Sequence, residues 1–300
     1  MKRVIYIDGG VGRVICSLPA IEKASKKDEI IVITPHTQVF MNNPNIYRIL
    51  HPSTPYIFED YIFDNNFEHP EPYQLNKYYR GELHLIQAFN FIINNDIELS
   101  KPNIYLTSSE IKNAKNLIQS LTSTKKILLF QPFGSSNSIV CNNAEPTHNS
   151  DASGRSLSEN QANYILEKLK SEYEIIYIGD YLATSSESFH VLNLSIRDVF
   201  SLCMHADKFI GIDSFLMHAA NAFNLPGLVI FGAMNSNNLC YKEHYLLKKE
   251  NLNYEPLRMP VNMEFSKNKN NNSMDFSDEE IDKLLNKLCS KQELTDSRKI

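Results

Sequence analysis

The stretch Phe209-Ile-Gly-Ile-Asp213-Ser214-Phe-Leu-Met-His218-Ala-Ala-Asn-Ala-Phe-Asn-Leu-Pro226-Gly-Leu-Val-Ile-Phe-Gly232 reads as strand, turn, helix, turn, strand. Phe209 to Ile212 is a short apolar run of the kind a buried parallel strand shows. Asp213 falls where that strand ends, and Ser214 is a favoured helix N-cap. Leu216 to Phe223 supplies a short apolar helix, stopped by Asn224-Leu-Pro226-Gly227. Leu228 to Phe231 is the next strand. The unit aims a helix amino terminus, an Asp, a Ser and a His into one crevice. Free backbone N–H groups and the helix dipole suit such a crevice to a phosphate or diphosphate.

Outward from this unit, strands alternate with helices. Val4 to Ile7, Ile30 to Ile33 and Ile46 to Leu50 read as strands, and Val11 to Ser25, Leu83 to Asn94 and Ser109 to Leu121 as helices. Pro19 is a candidate kink in the first helix. After the polar junction at 120–124 a second set begins, with Lys126 to Gln131 and Ile175 to Gly179 as strands and Glu159 to Ser171 and Ile196 to His205 as helices. Such alternation predicts an α/β protein of parallel sheets covered by helices. Two sets predict two Rossmann-like domains, residues 1–124 and 125–290, with ligands beyond the carboxyl ends of the strands. Ser277-Asp-Glu-Glu280 is a capping-box pattern, and Ile281, Leu284, Leu285 and Leu288 then share one helix face that packs back on the body. Residues 291–300 are expected to be a disordered tail.

Composition excludes several classes. The net charge is −5, residues 1–150 carry 14 basic and 14 acidic side chains, and neither half is basic enough to announce nucleic acid by charge alone. Five widely spaced cysteines without a Cys-x-x-Cys pair argue for reduced thiols in a cytoplasmic setting and against a zinc site. The opening Met-Lys-Arg-Val-Ile-Tyr-Ile-Asp is too short in its apolar part for a signal peptide, and no apolar run of about 20 residues offers a membrane span.

Asp8-Gly9-Gly10-Val11-Gly12-Arg13 follows the first strand and opens a helix. It is either a structural turn or a turn that lets a ligand approach the backbone. The spacing is not G-x-G-x-x-G, Thr34-Pro35-His36 lacks the ribose-binding acid, and there is no G-K-[ST]. A nicotinamide oxidoreductase is therefore disfavoured and a P-loop NTPase excluded.

Gly10-Val-Gly12-Arg13-Val-Ile-Cys-Ser-Leu18-Pro19-Ala20-Ile21 resembles the amino-terminal motif of family 9 glycosyltransferases, the heptosyltransferase-like group. Asp213-Ser214 with His218-Ala219-Ala220, followed by Phe231-Gly232, resembles the donor motif of that group. The resemblance spans residues 1 to about 235 and implies a GT-B fold, with the acceptor in the first domain and a nucleotide-sugar donor, UDP- or ADP-linked, in the second. It implies no cofactor and no metal, the diphosphate being held by Asp213, Ser214 and His218. Arg155, just before Ser156-Leu157-Ser158-Glu159, stands where the group places a phosphate-binding Lys, and a guanidinium there clamps a phosphate with two bonds. Asp180, after the strand ending at Gly179, is placed toward the nucleoside. Gly10 and Gly12 are placed toward the acceptor.

Two departures stand out. The group's catalytic Asp follows the glycine turn, where this chain has Arg13, which stays protonated and cannot accept a proton. Asp8 is the nearest substitute, unless it merely caps the turn, and Arg13 is free for an anionic acceptor. Phe215 stands where the group has glycine and narrows the donor pocket.

Residues 56–91 hold 10 aromatic residues in 36, among them Tyr56, Phe58, Phe63, Tyr78 and Tyr79. They are either core of an irregular segment or an acceptor platform for sugars or extruded bases. Tyr78, Tyr79 and Arg80 are the acceptor-side candidates. The glycine start and this insert resemble phage-encoded members that add a sugar, such as arabinose, to hydroxymethylated pyrimidines in DNA. Lys2, Arg3, Arg13, Lys77 and Arg80 would then touch DNA phosphates. The alternatives are a lipopolysaccharide heptosyltransferase and a non-catalytic nucleotide-sugar binding protein. Glu145, His148 and Asp151 fit no compact metal site and read as a loop over the cleft. Cys16 reads as a packed small residue. Oligomeric state is left open.

Overall fold

The computed structural model describes residues 2–122, 124–134, 155–179, 189–232, 234–249 and 274–289. The first lobe holds β1 (Lys2–Tyr6), α1 (Val11–Ala24), β2 (Glu29–Ile33), β3 (Arg48–Leu50), β4 (Asn66–Glu68), the single turn α2 (Asn76–Tyr79), α3 (Leu85–Asn94) and α4 (Ser108–Leu121). The second holds β5 (Lys126–Gln131), α5 (Glu159–Leu169), β6 (Tyr173–Tyr177), β7 (His190–Val191), α6 (Ile196–His205), β8 (Lys208–Ile212), α7 (Phe215–Ala222), β9 (Gly227–Phe231), β10 (Tyr245–Lys248) and α8 (Asp278–Cys289).

Both sheets are parallel. Strand order is β3-β2-β1-β4 in the first and β10-β9-β8-β5-β6-β7 in the second. Each order reverses at one place, between β1 and β4 and between β5 and β8. Crevices beyond the carboxyl ends of the strands form at such reversals, because successive connections diverge there to opposite sides.

Residue alternation explains the layers. Ile5, Ile30 and Val32 face α1 and α3, whereas Val4, Ile31 and Ile33 face the short helical segment Phe58–Ile62. In the second sheet Leu129, Phe209 and Val229 turn to α6 and α7, and Leu128, Ile210 and Leu228 to α5 and α8. The predicted face Ile281, Leu284, Leu285 and Leu288 is the buried face of α8. Ser277 Oγ accepts the Glu280 N–H at 3.3 Å, and the Glu280 carboxylate accepts the Ser277 N–H at 2.8 Å. One apolar core runs through α1, α3, α6 and α7 and joins the lobes.

The two predicted sets are present with corrections at their edges. The helix from Val11 continues through Pro19. The β6 strand begins at Tyr173, paired with Lys126, and the chain leaves it before Gly179 at φ 159°. The short edge strands β4, β7 and β10 were not expected from the sequence. Among the described residues no helix is long and apolar enough to cross a membrane. The proposed tail, Asp180 and the Glu145–Asp151 loop lie outside the described residues.

Candidate functional site

The two crevices meet. Gly12, in the first turn of α1, lies so close to α7 that a Cβ added there would stand 2.8 Å from His218 Cδ2 and 3.4 Å from Phe215 Cα. The glycine turn of the first sheet and the amino end of α7 in the second therefore face each other across the contact between the lobes.

On the second-lobe side, Asp213 follows β8 and is 4% exposed. Its Oδ2 is buried without a hydrogen-bond partner among the described residues. Burial pushes its carboxyl pKa above the usual range, opposed by the charge of Arg155. Arg155 Nη1 donates to the Asp213 carbonyl at 3.2 Å, which fixes this arginine at the end of β8. Ser214 is the N-cap of α7 in extended conformation, and its side chain makes no capping hydrogen bond. Gln131, from the end of β5, accepts the Leu216 N–H at 3.3 Å. A helix start, a buried carboxylate oxygen without a hydrogen-bond partner among the described residues and a guanidinium make a place for a polyanionic group with hydroxyls attached.

On the first-lobe side, Asp8 follows β1, and His69 and Glu71 follow β4. Arg13 Nη2 lies 2.9 Å from Asp8 Oδ1 and 3.2 Å from both Glu71 Oε2 and the Pro70 carbonyl. Its guanidinium also faces the rings of Tyr73 and Phe89. His69 Nε2 lies 3.3 Å from Asp8 Oδ2. His36 Nε2–H donates to the Gly9 carbonyl at 3.0 Å, and burial lowers its pKa. Asp8, His69 and Glu71 bring ligand atoms within 4.8 Å of one another, a grouping a divalent cation accepts. Arg13 already supplies positive charge against both carboxylates.

No protein-family model and no curated protein matches the sequence. Solved structures match the fold. The glycosyl transferase family 9 protein of Veillonella parvula superposes with a TM-score of 0.58 over 82% of this chain and 86% of its own, at 13% identity. The ADP-heptose lipopolysaccharide heptosyltransferase II of E. coli superposes with 0.61 over 96% and 98%, at 13% identity. The iron-containing dodecameric glycosyltransferase TibC of enterotoxigenic E. coli gives 0.66 over 96% and 75%, at 12% identity. The fold is that of the family 9 glycosyltransferases, GT-B.

Within this GT-B frame the remaining expected residues fall into distinct places. His218 is 3% exposed, with Nδ1 2.7 Å from the Tyr241 hydroxyl and 3.3 Å from Cys16 Sγ. Burial lowers its pKa to about 3, so the ring is neutral and packs as an interlobe contact. Cys16 is fully buried there, its thiol pKa raised by burial, in keeping with a packed small residue. Gly10 is the N-cap of α1 and has open space where a Cβ would point.

The acceptor platform is corrected at Tyr78. Its ring is 6% exposed and stacks edge-on against Tyr73 at 5.5 Å, and its carbonyl accepts an amide N–H from Asn238 at 2.7 Å. Asn238 also donates to the Leu83 carbonyl at 2.9 Å, so this segment is docked on the second lobe and its ring belongs to the core. Gly81, at φ 76° against the Asn235 side chain, permits that docking. Tyr79 is half-buried, and Arg80 is exposed with Glu82 4.0 Å away. The exposed rings of this segment are Tyr56, Phe58 and Phe63, over the outer face of the first sheet, and Phe67 on β4. Of the cations placed toward DNA, Arg13 is buried as described, and Arg3 binds both oxygens of Glu68 at 2.6 and 2.7 Å and the Ile93 carbonyl at 2.6 Å.

Sequence reading missed His69, Glu71, Gln131 and Tyr241. His69 and Glu71 follow a three-residue strand with no periodicity of its own. Gln131 is the polar end of an apolar strand, and that polarity is the one signal available in the sequence.

Proposed function

We propose that the chain is a glycosyltransferase moving a sugar from a nucleotide-sugar donor to an acceptor hydroxyl. The observation that carries this reading is the meeting of two switch-point crevices. One offers Asp213, Ser214 and Arg155 at the start of α7, and the other the Gly10–Gly12 turn with Asp8 and Arg13. In this reading the second lobe binds the donor. Its diphosphate lies against the α7 amides, the Ser214 hydroxyl and Arg155, while Asp213 Oδ2 takes a hydroxyl, or donates when protonated. Stabilising the departing diphosphate supplies the largest share of catalysis. Asp180 is the proposed nucleoside contact, and Asp8 and Arg13 belong to the proposed acceptor side. The same superposition supports an ADP-linked donor, since the E. coli relative is named for ADP-heptose.

For the acceptor, the internal pairing of Arg3 and Arg13 favours a saccharide over DNA, because phosphate contacts need free cations. Tyr79 and Arg80 remain the acceptor-side candidates. Hydroxymethylated DNA is the second reading, supported by the exposed rings of Tyr56, Phe58 and Phe63.

The test is calorimetry with ADP. Removing a charge-assisted hydrogen bond costs about 1.5–3 kcal/mol, so Arg155→Ala weakens ADP roughly tenfold to a hundredfold. Asp213→Ala weakens it as well, with the melting temperature retained in both variants. Equal affinities in native and variant proteins would refute the donor site.

A further inference from the structure

The glycosyl-transfer reading leaves the acceptor's proton without a taker. Arg13 is a permanent cation. Glu71 Oε2 is engaged by Arg13 at 3.2 Å. We propose that His69 is the general base and that Asp8 is the carboxylate that orients it. This proposal rests on the glycosyl-transfer reading and deepens it.

Topology places the pair. β4 lies parallel to β1 with Glu68 opposite Ile5, so the residue after β4 emerges beside the end of β1. That is the reversal point of the first sheet, where ligands of open α/β sheets bind. The two oxygens of Asp8 are divided between two neighbours: Oδ1 faces Arg13 at 2.9 Å and Oδ2 faces His69 Nε2 at 3.3 Å. A carboxylate so placed orients an imidazole, as in the Ser-His-Asp arrangement. A proton on Nε2, the nitrogen beside Asp8, leaves the lone pair on Nδ1. The Tyr6 ring packs on it with centroids 4.9 Å apart, and the side chain is 41% exposed, so it is both braced and reachable. The charged groups facing it are Asp8 from the end of β1, Glu71 from its own loop and, behind both, Arg13 from α1.

The step balances. The acceptor oxygen forms a bond to the anomeric carbon as its proton passes to His69 Nδ1. The bond from the anomeric carbon to the diphosphate oxygen breaks, and its electron pair leaves with the nucleoside diphosphate. The imidazolium formed is paired with Asp8.

Two measurements test this. The first needs no substrate: a long-range proton–nitrogen correlation spectrum of the full chain reads the His69 tautomer. Neutral His69 protonated on Nε2 is expected, with that preference lost in Asp8→Asn. A proton on Nδ1 overturns the proposal. The second is ADP release from ADP-heptose with water as acceptor. His69→Ala is expected to lower the rate about a hundredfold or more, to leave ADP affinity unchanged and to regain activity with added imidazole. A His69→Ala rate equal to native, with ADP still bound, overturns the base and leaves the donor site standing. Failure of the native chain to bind ADP removes the donor reading itself.

Discussion

Gly12 shows how a single position couples the lobes. Its missing side chain lets α1 approach α7, and a methyl there meets the buried His218 ring. Overpacking of that kind costs about 1–3 kcal/mol, and the better helix propensity of Ala returns up to about 1. Gly12→Ala is therefore expected to lose about 1–2 kcal/mol, read as a melting temperature lowered by several degrees; an unchanged melting temperature would show that the lobes separate freely at this point. The sequence marks Gly12 through its turn and its family resemblance. It does not mark His69 or Glu71, which reach Asp8 and Arg13 only because β4 pairs with β1 across more than sixty intervening residues. His218, expected at a diphosphate, is found against Tyr241 of its own lobe and Cys16 of the other: a motif sets the residue, while tertiary packing sets its partners.

Among elements, the longer helices were legible and the edge strands β4, β7 and β10 were not. Thr107, Ser158 and Ser195 each close a reciprocal capping box, a local arrangement written within four residues. The apolar stripe of α8 needs only helical periodicity to be seen. By contrast β4 has three residues and β7 two, too few for any period, and they exist because a neighbouring strand presents free N–H and C=O groups. The stripe of α8 carries a prediction. Leu285 is buried against the second sheet's outer core, so Leu285→Ala is expected to cost about 2–5 kcal/mol. Urea unfolding followed by circular dichroism checks it, and a loss below about 1 kcal/mol would mean that α8 packs loosely.

Across the whole molecule, Arg197 ties three elements together. From α6 it grips both oxygens of Glu110 on α4, at 2.7 and 2.8 Å, and donates to the carbonyls of Gln38 and Tyr105 at 3.1 and 2.7 Å. The Arg197 hydrogen bonds hold the Glu110 carboxyl at a pKa of about 2, against an ordinary 4.5. The folded-state pKa is the lower one, so the contribution is present above pH 4.5 and is lost as pH falls toward 2. Discounted for solvent screening at this partly exposed pair, it amounts to on the order of 1 kcal/mol. Arg197→Met is expected to destabilise the chain at neutral pH by roughly that amount and to flatten the fall in stability between pH 4.5 and 2. An acid-unfolding curve that keeps its native slope in the variant would assign that slope to other carboxylates.

By itself the sequence determined the α/β class, the two successive sets of elements, most helix limits and the positions of both glycine- and Asp-Ser-bearing turns. Those features follow from periodicity, capping and chain punctuation, all of which act over a few residues. Tertiary structure alone decided the strand orders, the two reversal points, the facing of α1 and α7, and which cations remain available to a ligand. These depend on pairing and packing between segments far apart in the chain, where burial and the partners it imposes override what any local stretch prefers.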